Sequence, residues 1–311
     1  MHHIFLGVVH LVIGVPSSFL SFLTSVTILR SKELIRFPSY KIMLQLNICY
    51  FLHVVSHVAT GIVMFLKVDR SSAVSKFCGG VLHLAWFGII FLNVLLCLER
   101  LNVTLWKSTV RFGKAAFWTM SAIAWFPGVM YLIVDQTTEM TFYMNTELAK
   151  WDYDGVRFEF WLQLGMIITF IALPITFFLY VIIYFYLVKL RGKIYNGGAA
   201  SRQPSIPEKS VLYSATLMFL YPCGEEAVFF VLRMLDITTF SANCGTHIMW
   251  ISLPLFCQIV QLLFNRSIRR NLIKLVGKNN MMTVATMKSK SNNSNSTKRT
   301  ARAVTDLKVT P

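Results

Sequence analysis

Charged residues are scarce in this chain. They fill 14% of its 311 positions, where a soluble domain of that size carries roughly 25%. Acids are scarcest, with 14 Asp and Glu beside 30 Lys and Arg. Catalytic signatures are missing altogether. There is no Gly-x-Ser-x-Gly, no His-Glu-x-x-His and no pair of aspartates on two apolar segments, so no enzymatic activity is expected. Internal repeats are also absent. Cysteine is sparse: of six, none falls within 135–159 and none follows Cys257, so no palmitoylated tail is expected.

What the chain has instead is apolar length. Hydrophobic residues make up 55%, Phe alone occurs 25 times, and the mean hydropathy is +0.57. Crossing about 30 Å of hydrocarbon takes roughly 20 helical residues. Seven runs qualify, at Ile4–Leu29, Tyr40–Leu66, Phe77–Leu98, Ala115–Val134, Phe160–Val188, Val211–Leu232 and Thr246–Phe264. The expected architecture is all-α, a bundle of seven transmembrane helices spanning residues 1–277 with the juxtamembrane segment included. The net charge of +16 does not point to nucleic acid, because in a membrane protein the placement of charge matters more than its sum. With the N-terminus outside, 24 basic residues fall on cytoplasmic segments and six on outer ones. That asymmetry predicts an outside N-terminus and an inside C-terminus.

Two segments follow the last run. "NRSIRRNLIKLVGK" sets Arg266, Arg269, Arg270 and Lys274 on one side of a helix and Ile268, Leu272, Leu275 and Val276 on the other. It is predicted to form a short amphipathic helix against anionic lipid of the inner leaflet. From 278 to 311 the chain is basic and rich in Ser, Thr and Asn, which predicts a disordered cytoplasmic tail. The sequons at Asn102, Asn265, Asn292 and Asn295 all fall inside and are expected to stay unglycosylated.

Charges inside apolar runs are costly and mark function. Glu99 and Arg100, in "LLCLERLNV", come about 33 Å of helix after Cys78. They are predicted to close the third span at the cytoplasmic face, with Glu208 at the foot of the sixth as a cross-helix partner for Arg100. Glu225 and Glu226, in "YPCGEEAVFF", lie about 20 Å up the sixth helix. Adjacent helical positions diverge by about 100°, so the two are not expected to face one cavity equally. His53 and His57 share a face of the second span, while His83 and His247 stand near the outer starts of the third and seventh. Hydrogen bonding between helices, or pairing with Glu225 or Glu226, is expected of these imidazoles ahead of metal binding. Pro222, followed by Gly224, makes the sixth helix the candidate hinge.

The order of these features resembles the G-protein-coupled receptor superfamily, and more closely the nematode serpentine chemoreceptors of the group that includes the Srt and Srx classes. The residues that carry the resemblance are "SYKIMLQLNICYFLHVVSHVATGI", "FCGGVLHLAWFGIIFLNVLLCLERLNV", "LYP" in the sixth run and "FNRSIRRNL" after the seventh. They cover about residues 5–275. The seventh run keeps Pro254 but lacks the Asn and Tyr of the superfamily's Asn-Pro-x-x-Tyr. The resemblance implies a chemosensory receptor of the plasma membrane, in a sensory cilium. It would bind a small extracellular ligand among Glu225, Glu226, His57, His83 and His247. It would activate a heterotrimeric G protein through Glu99, Arg100 and Glu208, with no cofactor. Receptors of the superfamily usually tie the third helix to the second outer loop by a disulfide. That loop has no cysteine here, so Cys78 and Cys244, both near the outside, are the candidate pair. The rival reading is a proton-coupled transporter or channel using Glu225, Glu226 and the membrane histidines.

Overall fold

The computed structural model describes residues 2–66, 72–105, 113–145, 150–196, 206–237 and 239–275. Seven helices run through them: α1 (His2–Arg30), α2 (Pro38–Phe65), α3 (Ala73–Leu105), α4 (Lys114–Val134), α5 (Phe158–Asn196), α6 (Ile206–Met234) and α7 (Phe240–Phe264). Each is long and apolar enough to cross a membrane. Between α4 and α5 two short strands, β1 (Thr141–Asn145) and β2 (Lys150–Asp154), pair antiparallel with Phe142 opposite Tyr153 and Met144 opposite Trp151. The all-α expectation did not include this hairpin. Helices, hairpin and core belong to one unit, Met1–Ile268; of the second, Arg269–Pro311, the described residues 269–275 are helical. The predicted tail from 278 lies outside the described residues.

The third helix is the axis of the bundle. Some 72% of its apolar window is buried, against 28–50% for the other six. Leu82, Ile89, Leu92 and Leu96 of α3 meet Ile42, Leu46 and Tyr50 of α2, Met218 and Phe219 of α6, and Trp250 and Leu253 of α7 in one core. The outward faces remain apolar, with Phe19 and Phe22 on α1 and Ile171, Phe178 and Phe185 on α5 all exposed. In water such surfaces would drive association; against acyl chains they are solvated. Hydroxyls within α1 do not break its helix, because Ser18, Thr24, Ser25 and Thr27 each donate to the carbonyl four residues back.

Helix ends depart from the apolar runs, for local reasons. Pro38 opens α2 at its first turn, where a missing N–H is harmless. Thr239 caps α7 by accepting from Ala242 N, so the helix begins at Phe240, six residues before the apolar run does. At 39 residues, about 58 Å, α5 outruns a bilayer. Most consequential is α3, which continues past Glu99 and Arg100 to Leu105. The charged pair therefore lies within the helix and does not end it. After α7, residues 266–275 are helical, with Arg266, Arg269, Arg270 and Lys274 exposed.

Candidate functional site

Odd-numbered helices begin, and even-numbered ones end, on the side of the bundle that carries the hairpin. There α3, α5, α6, α7 and the hairpin enclose a cavity of about 520 Å³, a size suited to a small molecule. Its wall is strongly aromatic. Phe142 stacks on His83, with centroids 4.1 Å apart, and packs on Trp151 and Tyr153 at 4.9 and 4.7 Å. Trp86, Trp161 and Trp250 complete it.

Polar groups in this wall are few and specific. Glu225 is 1% exposed, and neither carboxylate oxygen has a hydrogen-bond partner among the described residues. Glu226 also lines the cavity but is only half-buried, the unequal pairing expected of adjacent helical positions. Counted around the cavity, the carboxyls of Asp152, Glu225, Glu226 and Asp236 outnumber the cations Lys150 and Arg233. Lys150 is taken up by Asp152 at 3.6 Å.

The hairpin is tied to α3 without a disulfide. His83 Nδ1 meets Asp135 Oδ2 at 2.7 Å, and Nε2 lies 3.4 Å from Tyr153 Oη. Burial pushes the Tyr153 phenol above its usual range, so its hydroxyl stays protonated and can donate to the imidazole. Gly79 sits against the hairpin backbone so closely that an added Cβ would overlap the Phe142 carbonyl. Cys78 and Cys244 are both buried free thiols, a correction to the expected bond. The reason is positional. Cys78 faces Thr60 of α2, whereas Cys244 packs with Leu6, Met64 and Met144.

Behind the α7 wall lies a knot of imidazoles. His247 Nε2 is 2.8 Å from His10 Nε2, His10 Nδ1 is 2.7 Å from the His57 carbonyl, and His57 Nε2 is 3.1 Å from His53 Nε2. All four rings are buried. Only His247 of the four lines the cavity; His57 is screened by Trp250, whose ring stands 5.4 Å away.

At the opposite end of the bundle, Glu99 and Arg100 are 3% and 8% exposed. Their closest approach, Arg100 Nε to Glu99 Oε2, is 3.6 Å, too long for a hydrogen bond. Glu99 instead accepts from Ser39 Oγ of α2 at 2.6 Å, and Arg100 Nε has no hydrogen-bond partner among the described residues. Glu208 lies on α6, but its side chain is outside the described residues. In the same half of the bundle, Asn47 Oδ1 of α2 accepts from Gln258 and Gln261 of α7 at 3.0 and 2.9 Å. This amide cluster joins the two helices beyond Pro254 of α7.

Residues 1–285 match the family model described as serpentine type 7TM GPCR chemoreceptor Srt. The chain belongs to the Srt family of serpentine chemoreceptors. It is a multi-pass membrane protein and a chemosensory G-protein-coupled receptor. Among solved structures, squid rhodopsin is similar with a TM-score of 0.74 at 14% identity, over 88% of this chain and 84% of that one, which is a likeness of fold. No curated protein matches. Family and fold are those of receptors, not enzymes, and neither supports the transport reading.

The receptor brings Glu225, Glu226, His83 and His247 around one cavity and leaves His57 outside it. Sequence reasoning missed Asp135, Ser39 and His10. Asp135 was visible only as one acid of a loop. Ser39 gives no signal, since a serine beside a proline is commonplace, whereas His10 carries the same signal as His83, a histidine within an apolar run.

Proposed function

We propose that the receptor recognises a small, largely apolar ligand carrying a basic nitrogen, bound in the aromatic cavity with its cation at Glu225. The observation behind this reading is a carboxyl group buried with both oxygens unpartnered among the described residues, on a wall where acids outnumber bases. An unpaired buried charge is costly, and an ammonium or amidinium ligand supplies the missing partner. Aromatic rings beside it favour the same class through cation–π attraction. With 24 basic residues on one side and six on the other, the cavity opens outward and Glu99–Arg100 face the cytoplasm. Ligand binding shifts the bundle between two packings. Pro222 lies inside α6, sixteen residues from its first, and serves as the hinge. The shift opens the Arg100 end, with Glu208 at the foot of α6, to a heterotrimeric G protein. The basic face of residues 266–275 rests on anionic lipid of the plasma membrane.

A panel of volatile and water-soluble amines, with matched alcohols and acids, applied to cells expressing the receptor with a G-protein reporter tests this. Amines should dominate the responders. A response confined to carboxylic acids would overturn the charge assignment.

A further inference from the structure

We propose that His10, His57 and His247 form a binding site for a divalent transition metal, zinc foremost. One helix contributes each residue: α1, α2 and α7. Each offers one ring nitrogen, and the three nitrogens lie within 4.8 Å of one another. Ligands about 2.0–2.1 Å from a tetrahedral zinc sit roughly 3.3 Å apart. The present spacings bracket that value, from 2.8 Å between His10 and His247 to the outer limit of the cluster.

Hydrogen bonding already orients the first ligand. His10 Nδ1 donates to the His57 carbonyl, which fixes the tautomer and leaves a lone pair on Nε2, aimed at His247. A backbone acceptor behind a ligating imidazole is the usual support of a metal site. Gly61 makes this approach possible, because a Cβ there would come within 2.8 Å of His10 Cβ.

As a purely hydrogen-bonded cluster the arrangement is incomplete. His57 and His53 face each other through Nε2, so one must donate and the other accept. The ring that accepts then carries its proton on Nδ1, and the ring that donates carries a lone pair there. Neither Nδ1 has a partner among the described residues, and both rings are 0% exposed. Buried polar atoms are seldom left so. A cation takes up a lone pair that the imidazoles alone leave unused. Imidazole donors without thiolate suit zinc, copper and nickel, and disfavour magnesium and calcium. Three protein ligands leave a fourth position for water or another donor. His247 also lines the ligand cavity, so a metal here lies one side chain from whatever binds there.

The test uses the chain purified in detergent, with zinc chloride and, separately, cobalt chloride as probes. One equivalent of zinc should remain after desalting and raise the Tm, and cobalt should show the strong visible bands of tetrahedral coordination. His10→Asn and His247→Asn should each weaken zinc binding by at least about tenfold, while Cys97→Ser, a buried thiol of α3 outside the cluster, leaves it unchanged. Size-exclusion profiles of the metal-free variants establish that they are folded. Should either fail to fold, the cobalt spectrum of the parent decides. Unchanged zinc affinity in a folded His10→Asn protein, or a weak octahedral cobalt spectrum in the parent, would overturn the site.

Discussion

Single residues carry the receptor's chemistry, and each can be asked a separate question. Glu225 is the buried acid of the cavity and Glu226 its half-exposed neighbour. Glu225→Gln should therefore lower potency for a cationic agonist by about tenfold or more, in keeping with a charge-assisted contact of roughly 1.5–3 kcal/mol. Glu226→Gln should cost less. Equal dose–response curves for both variants and the parent would show that neither acid meets the ligand. At the other end, Ser39 holds Glu99 at 2.6 Å and so competes with Arg100 for the same oxygen. Glu99→Gln should raise ligand-independent signalling about fivefold, for an interaction near 1 kcal/mol. Ser39→Ala should lower it, because the freed carboxylate turns to Arg100. Basal reporter activity at matched surface expression reads both signs. Glu225, Glu226, His83 and His247 stand out in the sequence because a polar residue in an apolar run is costly. The grouping of His10 with His57 and His247 does not, because positions 47 and 237 residues apart meet only through tertiary packing.

Elements were legible in the sequence by length, and less so by their ends and by what covers them. Seven apolar runs became seven helices. Caps and polar first turns moved the boundaries, as Thr239 did for α7, and hydropathy does not register such chemistry. The hairpin left little trace. Five-residue strands such as "TFYMN" and "KWDYD" are too short for a clear alternation, and both faces of β1 are buried. Its anchoring also replaces an expected device, with a His83–Asp135 contact and the Gly79 approach standing where a disulfide was sought. Gly79→Ala should lift the hairpin from α3. Overpacking of this kind costs about 1–3 kcal/mol, so the Tm of the detergent-purified receptor should fall and agonist affinity with it. Cys78→Ser should change neither, since that thiol bonds no partner sulfur. Loss of folding in Cys78→Ser under oxidising conditions would restore the disulfide.

For the whole molecule the fold and the family agree, and the proposed function has a direction and a sequence of events. Direction rests on the basic asymmetry. An epitope at the N-terminus should stain on intact cells and one at the C-terminus only after permeabilisation; the reverse pattern would exchange the roles of the two ends. In the proposed activation, events run from the acidic aromatic cavity, along the α3 axis and the α2–α7 amide cluster, to Glu99 and Arg100. The central claim is that occupation of the cavity is converted into G-protein activation at Arg100. Agonist-stimulated nucleotide exchange on a heterotrimeric G protein, measured with the receptor in lipid nanodiscs, tests it most directly when the parent and Arg100→Ala are compared at equal agonist occupancy. The parent should accelerate exchange and Arg100→Ala should bind agonist without doing so. Full exchange by Arg100→Ala would contradict the account.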